Sequence, residues 1–243
     1  MQRKKSIAAI LALLATAIAI PALAQQAAEV TVQHLDYRLV DLAPDDGIAP
    51  TLTWTSDTVQ AYSHVYDQQG IEIDGVQIDA FGTSGYDNAY ASARVDAGAD
   101  TAHIRFDLAS GYGFASANRG FHFMLSPHTQ VIFSAGADLW ASPTPEPHST
   151  LTALAELYGS LHLDGDGDWS FNDRAQMDNG SRQATLSVSS TSQDAWVDGY
   201  LAYSAYAVAE SHAAPVPEPA SGAMLMGGLG LMAAFIRKRR RGE

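Results

Sequence analysis

Cysteine is absent from all 243 residues, which excludes disulfides and thiolate metal sites. Cations are nearly as scarce. Of fourteen lysines and arginines, eight sit at the two ends: Arg3, Lys4 and Lys5, then Arg237, Lys238, Arg239, Arg240 and Arg241. Residues 25–214 keep six arginines and no lysine against twenty-five carboxylates, a formal charge of −19. Without a basic patch to displace counterions from phosphate, nucleic acid is excluded as a partner. Nucleophile motifs are missing too: there is no G-x-S-x-G elbow and no H-E-x-x-H pair. The eight histidines (His34, His64, His103, His122, His128, His148, His162, His212) are scattered without ligand spacing.

Long apolar runs occur only at the two ends. Arg3, Lys4 and Lys5 form a positive n-region, residues 7–20 an apolar core, and Ala22-Leu23-Ala24 an A-x-A cleavage pattern. Residues 1–24 therefore read as a signal helix that signal peptidase removes after Ala24, leaving Gln25 first. At the other end, residues 220–236 carry no charge. As a helix they would span about 26 Å, near the lower limit for a bilayer core. Arg237, Lys238, Arg239, Arg240 and Arg241 then act as a basic stop on the cytoplasmic side. A plain tail anchor explains this topology as it stands.

Immediately before that segment stand Val216, Pro217, Glu218 and Pro219. A Pro-Glu-Pro motif, a Gly-rich apolar helix and an arginine cluster, in this order at a C-terminus, resemble the PEP-CTERM sorting signal of Gram-negative bacteria. The resemblance implies that the tail enters the membrane transiently and is recognised and processed there by an exosortase. The protein would then reach the cell envelope, the surface or the extracellular space. Two prolines hold the motif extended and keep it out of the helix. Pro145-Glu146-Pro147 repeats the tripeptide, but polar His148, Ser149 and Thr150 follow it, so it reads as a loop.

Three regions follow from this: a signal peptide (1–24), a secreted acidic domain (25–214) and a sorting tail (215–243; motif 216–219, transmembrane 220–236, basic stop 237–241). The middle is long enough for one domain with a real core. Its pattern is all-β. Residues 30–35, 51–55, 102–108, 121–125, 130–133, 182–189 and 199–208 are β-branched, aromatic or alternating, and a turn lies at Ser126-Pro127-His128-Thr129. Residues 151–163 alternate as a strand, although 151–158 would also fit a helix. Asp45-Asp46-Gly47, Asp74-Gly75 and Asp198-Gly199 read as turns, and Asn179-Gly180 as a hairpin turn. Many short strands with regular turns favour an antiparallel β-sandwich, jelly-roll or Ig-like. The phrases 41–50 and 125–135 also look like those in other proteins with this tail, which lends support to a secreted β fold.

Asp164-Gly165-Asp166-Gly167-Asp168 is the sharpest local motif. Carboxylates at alternate positions can turn around calcium, with Ser170, Asn172 or Asp173 completing the shell. Trp169 and Ala175 stand where an EF-hand requires Gly and Glu, so an acidic surface loop is the competing reading. Trp54, Trp140, Trp169 and Trp196 with ten tyrosines could form a sugar-stacking platform or simply pack. Three functions remain open. The resemblance implies a structural or adhesive protein in an exopolysaccharide or biofilm setting. The alternatives are a calcium-dependent carbohydrate-binding module and a secreted hydrolase, the latter requiring a cleft with two facing carboxylates.

Overall fold

Period-two alternation decides the secondary structure over most of the chain. In the computed structural model, residues 26–144, 149–163 and 167–211 are described. They form twelve strands and, among the described residues, no helix. The strands are β1 (Gln26–Asp41), β2 (Leu52–Tyr66), β3 (Glu72–Ile78), β4 (Gly82–Asp87), β5 (Ala91–Ala97) and β6 (Thr101–Leu108). They continue as β7 (Gly111–Leu125), β8 (Thr129–Ala141), β9 (Thr150–Leu163), β10 (Gly167–Met177), β11 (Gly180–Thr191) and β12 (Val197–Ser211). In β8 every second residue is buried from Thr129 to Ala141, the mark of a strand with one face on a core. The ambiguous stretch 151–158 belongs to β9 and is strand.

The strands assemble into two six-stranded antiparallel sheets packed as a sandwich. The first runs β11-β8-β1-β6-β5-β4 and the second β10-β9-β12-β7-β2-β3. Twelve strands exceed the eight of a jelly roll and the seven or nine of an immunoglobulin sandwich. Between the sheets lie Val30, Val32, Ile104, Phe106, Leu108 and Phe133 from the first, facing Phe123, Leu157, Leu161, Leu201 and Tyr203 from the second. One row of the second sheet is alanine on five strands: Ala61, Ala117, Ala205, Ala155 and Ala175 are successive cross-strand partners. All five are essentially inaccessible, so along this row the second sheet presents only methyl groups to the interior.

Glycine inside the strands is matched to aromatic rings. Gly199 pairs with Phe123, and a side chain at Gly199 would collide with that ring. Gly159 pairs with Phe171 in the same relation. This corrects one expectation: Asp198-Gly199 and Asp74-Gly75 lie within β12 and β3, not in turns. Asn179-Gly180 is likewise not a hairpin, because β10 and β11 belong to different sheets and the chain crosses the sandwich edge there. Asp45-Asp46-Gly47 does turn, with the Asp46 N–H donating to Ala43 O at 3.0 Å and Gly47 at a φ of 75°.

Topology sends both ends of the domain to one pole. The Gln26 amide, at the start of β1, donates to Glu210 O near the end of β12 at 3.3 Å. The opposite pole collects the β1–β2, β7–β8 and β11–β12 connections. The signal segment, residues 145–148, Asp164, Gly165, Asp166, His212 and the whole tail lie outside the described residues.

Candidate functional site

Three places in the domain gather polar or aromatic side chains with unusual density. The first is a trough on the outer face of the first sheet, running along β8. Register sets Trp140 between Ser181 of β11 and Glu29 of β1, and Asp138 between Gln183 and Thr31. The hollow over these residues has a volume of about 560 Å³, within the range of small-ligand sites. A second hollow of about 330 Å³ continues past Asp138 and Gln183 to Gly136 and Thr185. Glu29 is held by His103 Nε2 at 3.1 Å and lies 3.8 Å from the Arg105 guanidinium. Asp138 accepts a long hydrogen bond from the Gln33 amide at 3.4 Å. Trp140 remains 40% exposed, a large aromatic face left to solvent between polar neighbours.

Glu29 and Asp138 are diagonal neighbours on adjacent strands, which sets them about 7–8 Å apart. That is a spacing of strand positions and not of carboxyl groups, and the trough is open with both groups already partnered, so it does not have the form of a glycosidase cleft.

The second place is the outer face of the second sheet. Tyr62, His64 and Tyr66 of β2, Tyr112 and Phe114 of β7 and Tyr206 of β12 form a continuous field of rings. Centroids lie 5.6 Å apart for His64–Phe114, 6.0 Å for Tyr62–Phe114 and 6.5 Å for Phe114–Tyr206. The rings cover one another, so most are half-buried and only Tyr112 is more than a third exposed among them. On the same face, burial pushes the Tyr158 phenol up to about 12. Desolvation also raises Tyr206.

The third place is the pole where three loops meet on His128. Its ring nitrogens bond Asp46 Oδ2 at 2.7 Å through Nδ1 and Asp194 Oδ1 at 2.9 Å through Nε2. Its N–H donates to Gln193 O and its C=O accepts from the Leu42 N–H, both at 2.9 Å. These four bonds hold a non-glycine residue at a φ of 51°, in the sparsely populated left-handed region. The Asp46 bond, then that to Asp194, raises His128 above 6.5, and the His128 bond holds Asp46 below 3.8.

Beneath the histidine lies a buried hydroxyl network. Ser126 Oγ and Thr129 Oγ1 are 2.8 Å apart, Ser126 Oγ accepts from the Thr51 N–H, and Ser192 Oγ accepts from the Thr129 N–H. Both histidine nitrogens face carboxylates, so the cluster contains no serine–histidine pair and no activated nucleophile. Its chemistry is that of a clasp.

None of these places explains how the protein travels; that information lies at the C-terminus. Residues 215–241 match the model of the PEP-CTERM protein-sorting motif. The chain carries a PEP-CTERM sorting tail. The match spans Val216, Pro217, Glu218 and Pro219, the apolar run and the basic stop from Arg237 to Arg241. It implies export, sorting at the membrane and processing by an exosortase. No curated protein and no solved structure matches the chain.

The expected calcium ligands fall largely outside the described residues: Asp164 and Asp166 entirely, and Asp168 in its side chain. Asp173 is described and accepts the Ser187 N–H at 2.8 Å, tying β10 to β11. Among the described residues no group of three or more His, Asp or Glu is placed to hold a metal. Among them, too, no helix is long and apolar enough to cross a membrane.

The tryptophans separate rather than form one platform. Trp54 packs one side on Phe121, Phe123 and Phe133 and leaves the rest exposed, and Trp140, Trp169 and Trp196 are exposed in three other places. Glu29, Thr31, Asp138, Ser181 and Gln183 escape sequence reading because they converge only through strand pairing. The signal available was the alternation around Asp138 and Trp140. The clasp had more: both of the phrases 41–50 and 125–135, noticed as likenesses, meet at it.

Proposed function

We propose that this is an exported cell-envelope or extracellular-matrix protein that works by binding rather than by catalysis. Residues 1–24 start export, residues 215–243 direct sorting, and residues 25–214 are the working domain. The observation that carries the reading is the sorting motif at 215–241 behind an all-strand domain. A structural or adhesive role among exopolysaccharides suits that placement. Rigid sheets with a −19 surface resist aggregation and repel nucleic acid while presenting wide lateral faces. The clasp histidine is spent on two carboxylates, and the Glu29–Asp138 pair sits in an open trough, which speaks against hydrolysis.

Intact mass of the protein from its host, with and without the exosortase, tests this. Expected are loss of residues 1–24 in both strains and loss of the tail beyond the motif only where the exosortase is present. An identical, full-length C-terminus in both strains would refute sorting and leave a membrane anchor.

A further inference from the structure

We infer that the trough along β8 is a binding site for a neutral glycan chain. The inference rests on the reading of the domain as a binding module and gives that module a site and a ligand class.

Chemistry at the trough narrows the ligand. β8 lies between β1 and β11, and its backbone groups are consumed by the two ladders. An extended peptide therefore finds no free edge to join, and recognition falls to side chains. Those offered are carboxylates (Glu29, Asp138), an amide (Gln183), hydroxyls (Thr31, Ser181) and one exposed indole (Trp140). Leu139 and Arg182 line the floor, but alternation turns their side chains to the other face of the sheet. The Arg182 guanidinium reaches the other way, to Gln176 O at 3.4 Å. Arg105 flanks the trough beside Glu29, but its guanidinium is shared between Glu29 at 3.8 Å and Asp107 at 3.2 Å, so the carboxylates outweigh it and an acidic polymer is repelled. A hydrocarbon ligand would strand two carboxylates. A pyranose meets all the requirements: its C–H face stacks on Trp140, and its hydroxyls pair with acceptors and donors at its edge.

The length also fits a chain rather than a single sugar. Trp140 and Gly136 lie four residues apart on β8, about 13 Å at strand rise. The two hollows share Asp138 and Gln183 and so form one continuous path. Gly136 opens its far half. A Cβ there would touch nothing closer than Gln33 O at 3.6 Å, so the fold has room for a side chain that the sequence does not supply. The vacant space belongs to the trough.

The test uses mature protein purified from its host and an array of neutral gluco-, galacto-, manno- and xylo-oligosaccharides beside oligouronates. Binding to at least one neutral oligosaccharide and to no oligouronate is expected. Affinity for that oligosaccharide should fall about tenfold in Trp140→Ala, the worth of one stacking contact. Gly136→Leu should block binding while leaving the thermal midpoint near wild type. Trp169→Ala, on edge strand β10, should bind normally. The inference is overturned if no neutral oligosaccharide binds, if oligouronates bind as well, or if Trp140→Ala and Gly136→Leu bind undiminished. Sorting is read separately by mass, so a trough that fails leaves the envelope assignment standing, and the reverse holds too.

Discussion

Gly199→Ala puts the matching of glycine to aromatic rings to a quantitative test. In a strand interior, alanine normally improves on glycine by about 0.5–1 kcal/mol, because glycine loses more backbone entropy on folding. At Gly199 the new methyl would meet three carbons of the Phe123 ring inside van der Waals contact. That ring cannot swing aside: Phe123 is 1% exposed and wedged between Phe133 and Trp54, with centroids at 5.4 and 5.8 Å. Overpacking of this kind costs about 1–3 kcal/mol. The net loss is then up to about 2.5 kcal/mol, or up to about 10 °C in Tm for a domain of this size. Urea unfolding followed by tryptophan fluorescence measures it. Gly136→Ala is the internal control, having open space and no ring, and should be neutral or slightly stabilising. Phe123→Leu combined with Gly199→Ala should recover at least about 0.5 kcal/mol relative to the sum of the single changes. A Gly199→Ala protein more stable than wild type by about 0.5–1 kcal/mol would refute the packing argument, since strand propensity alone predicts that gain.

The clasp should make stability depend on pH in a defined direction. Because folded His128 titrates above 6.5, its contribution is complete below 6.5 and fades as pH rises through the higher folded value. Folded Asp46 titrates below 3.8, so its contribution is complete above 3.8 and fades as pH falls through the lower folded value. Urea midpoints should therefore be higher at pH 5.5 than at 8.5, and His128→Asn, which tolerates the left-handed backbone, should flatten that difference. An unchanged difference in the variant would remove the clasp as its source. Ser192→Ala strands the Thr129 N–H in a buried site and should cost about 1–3 kcal/mol in the same assay; a wild-type midpoint would show that the hydroxyl is dispensable. Ala205→Leu, at the centre of the alanine row, should cost about 1–3 kcal/mol by forcing the sheets apart. A neutral result there would mean that the interior has slack at the row.

What could be read from the sequence depended on where a strand sits. β6, β8, β9 and β12 have a core on one face, so their side chains alternate and the pattern is visible. β3, β4 and β10 are edge strands, where Asp, Gly and Ser are tolerated and alternation relaxes, although the edge strand β11 was legible and the interior strand β5, rich in small residues, was not. The first half of β7, Gly111 to Gly120, looks like loop but is central; its Gly113 is there for the Phe106 ring. Candidate sites followed the same rule. The sorting tail is contiguous and was legible residue by residue. The β8 trough draws side chains from β1, β8 and β11, more than 150 residues apart, and the clasp from three loops, so each existed only once pairing was known.

The shared exit pole of β1 and β12 has a mechanical consequence. Ser211 ends β12 and Val216 begins the sorting motif, so four residues separate the folded domain from the motif, a reach of at most about 14 Å. Whatever grips the tail therefore works almost against the domain's own pole. A pull on the tail along β12 meets the ladders to β7 and β9 together, which must slide as a whole and cannot open one bond at a time. The tail leaves the sandwich from a strand flanked on both sides along its length, so tension applied to it is resisted in shear.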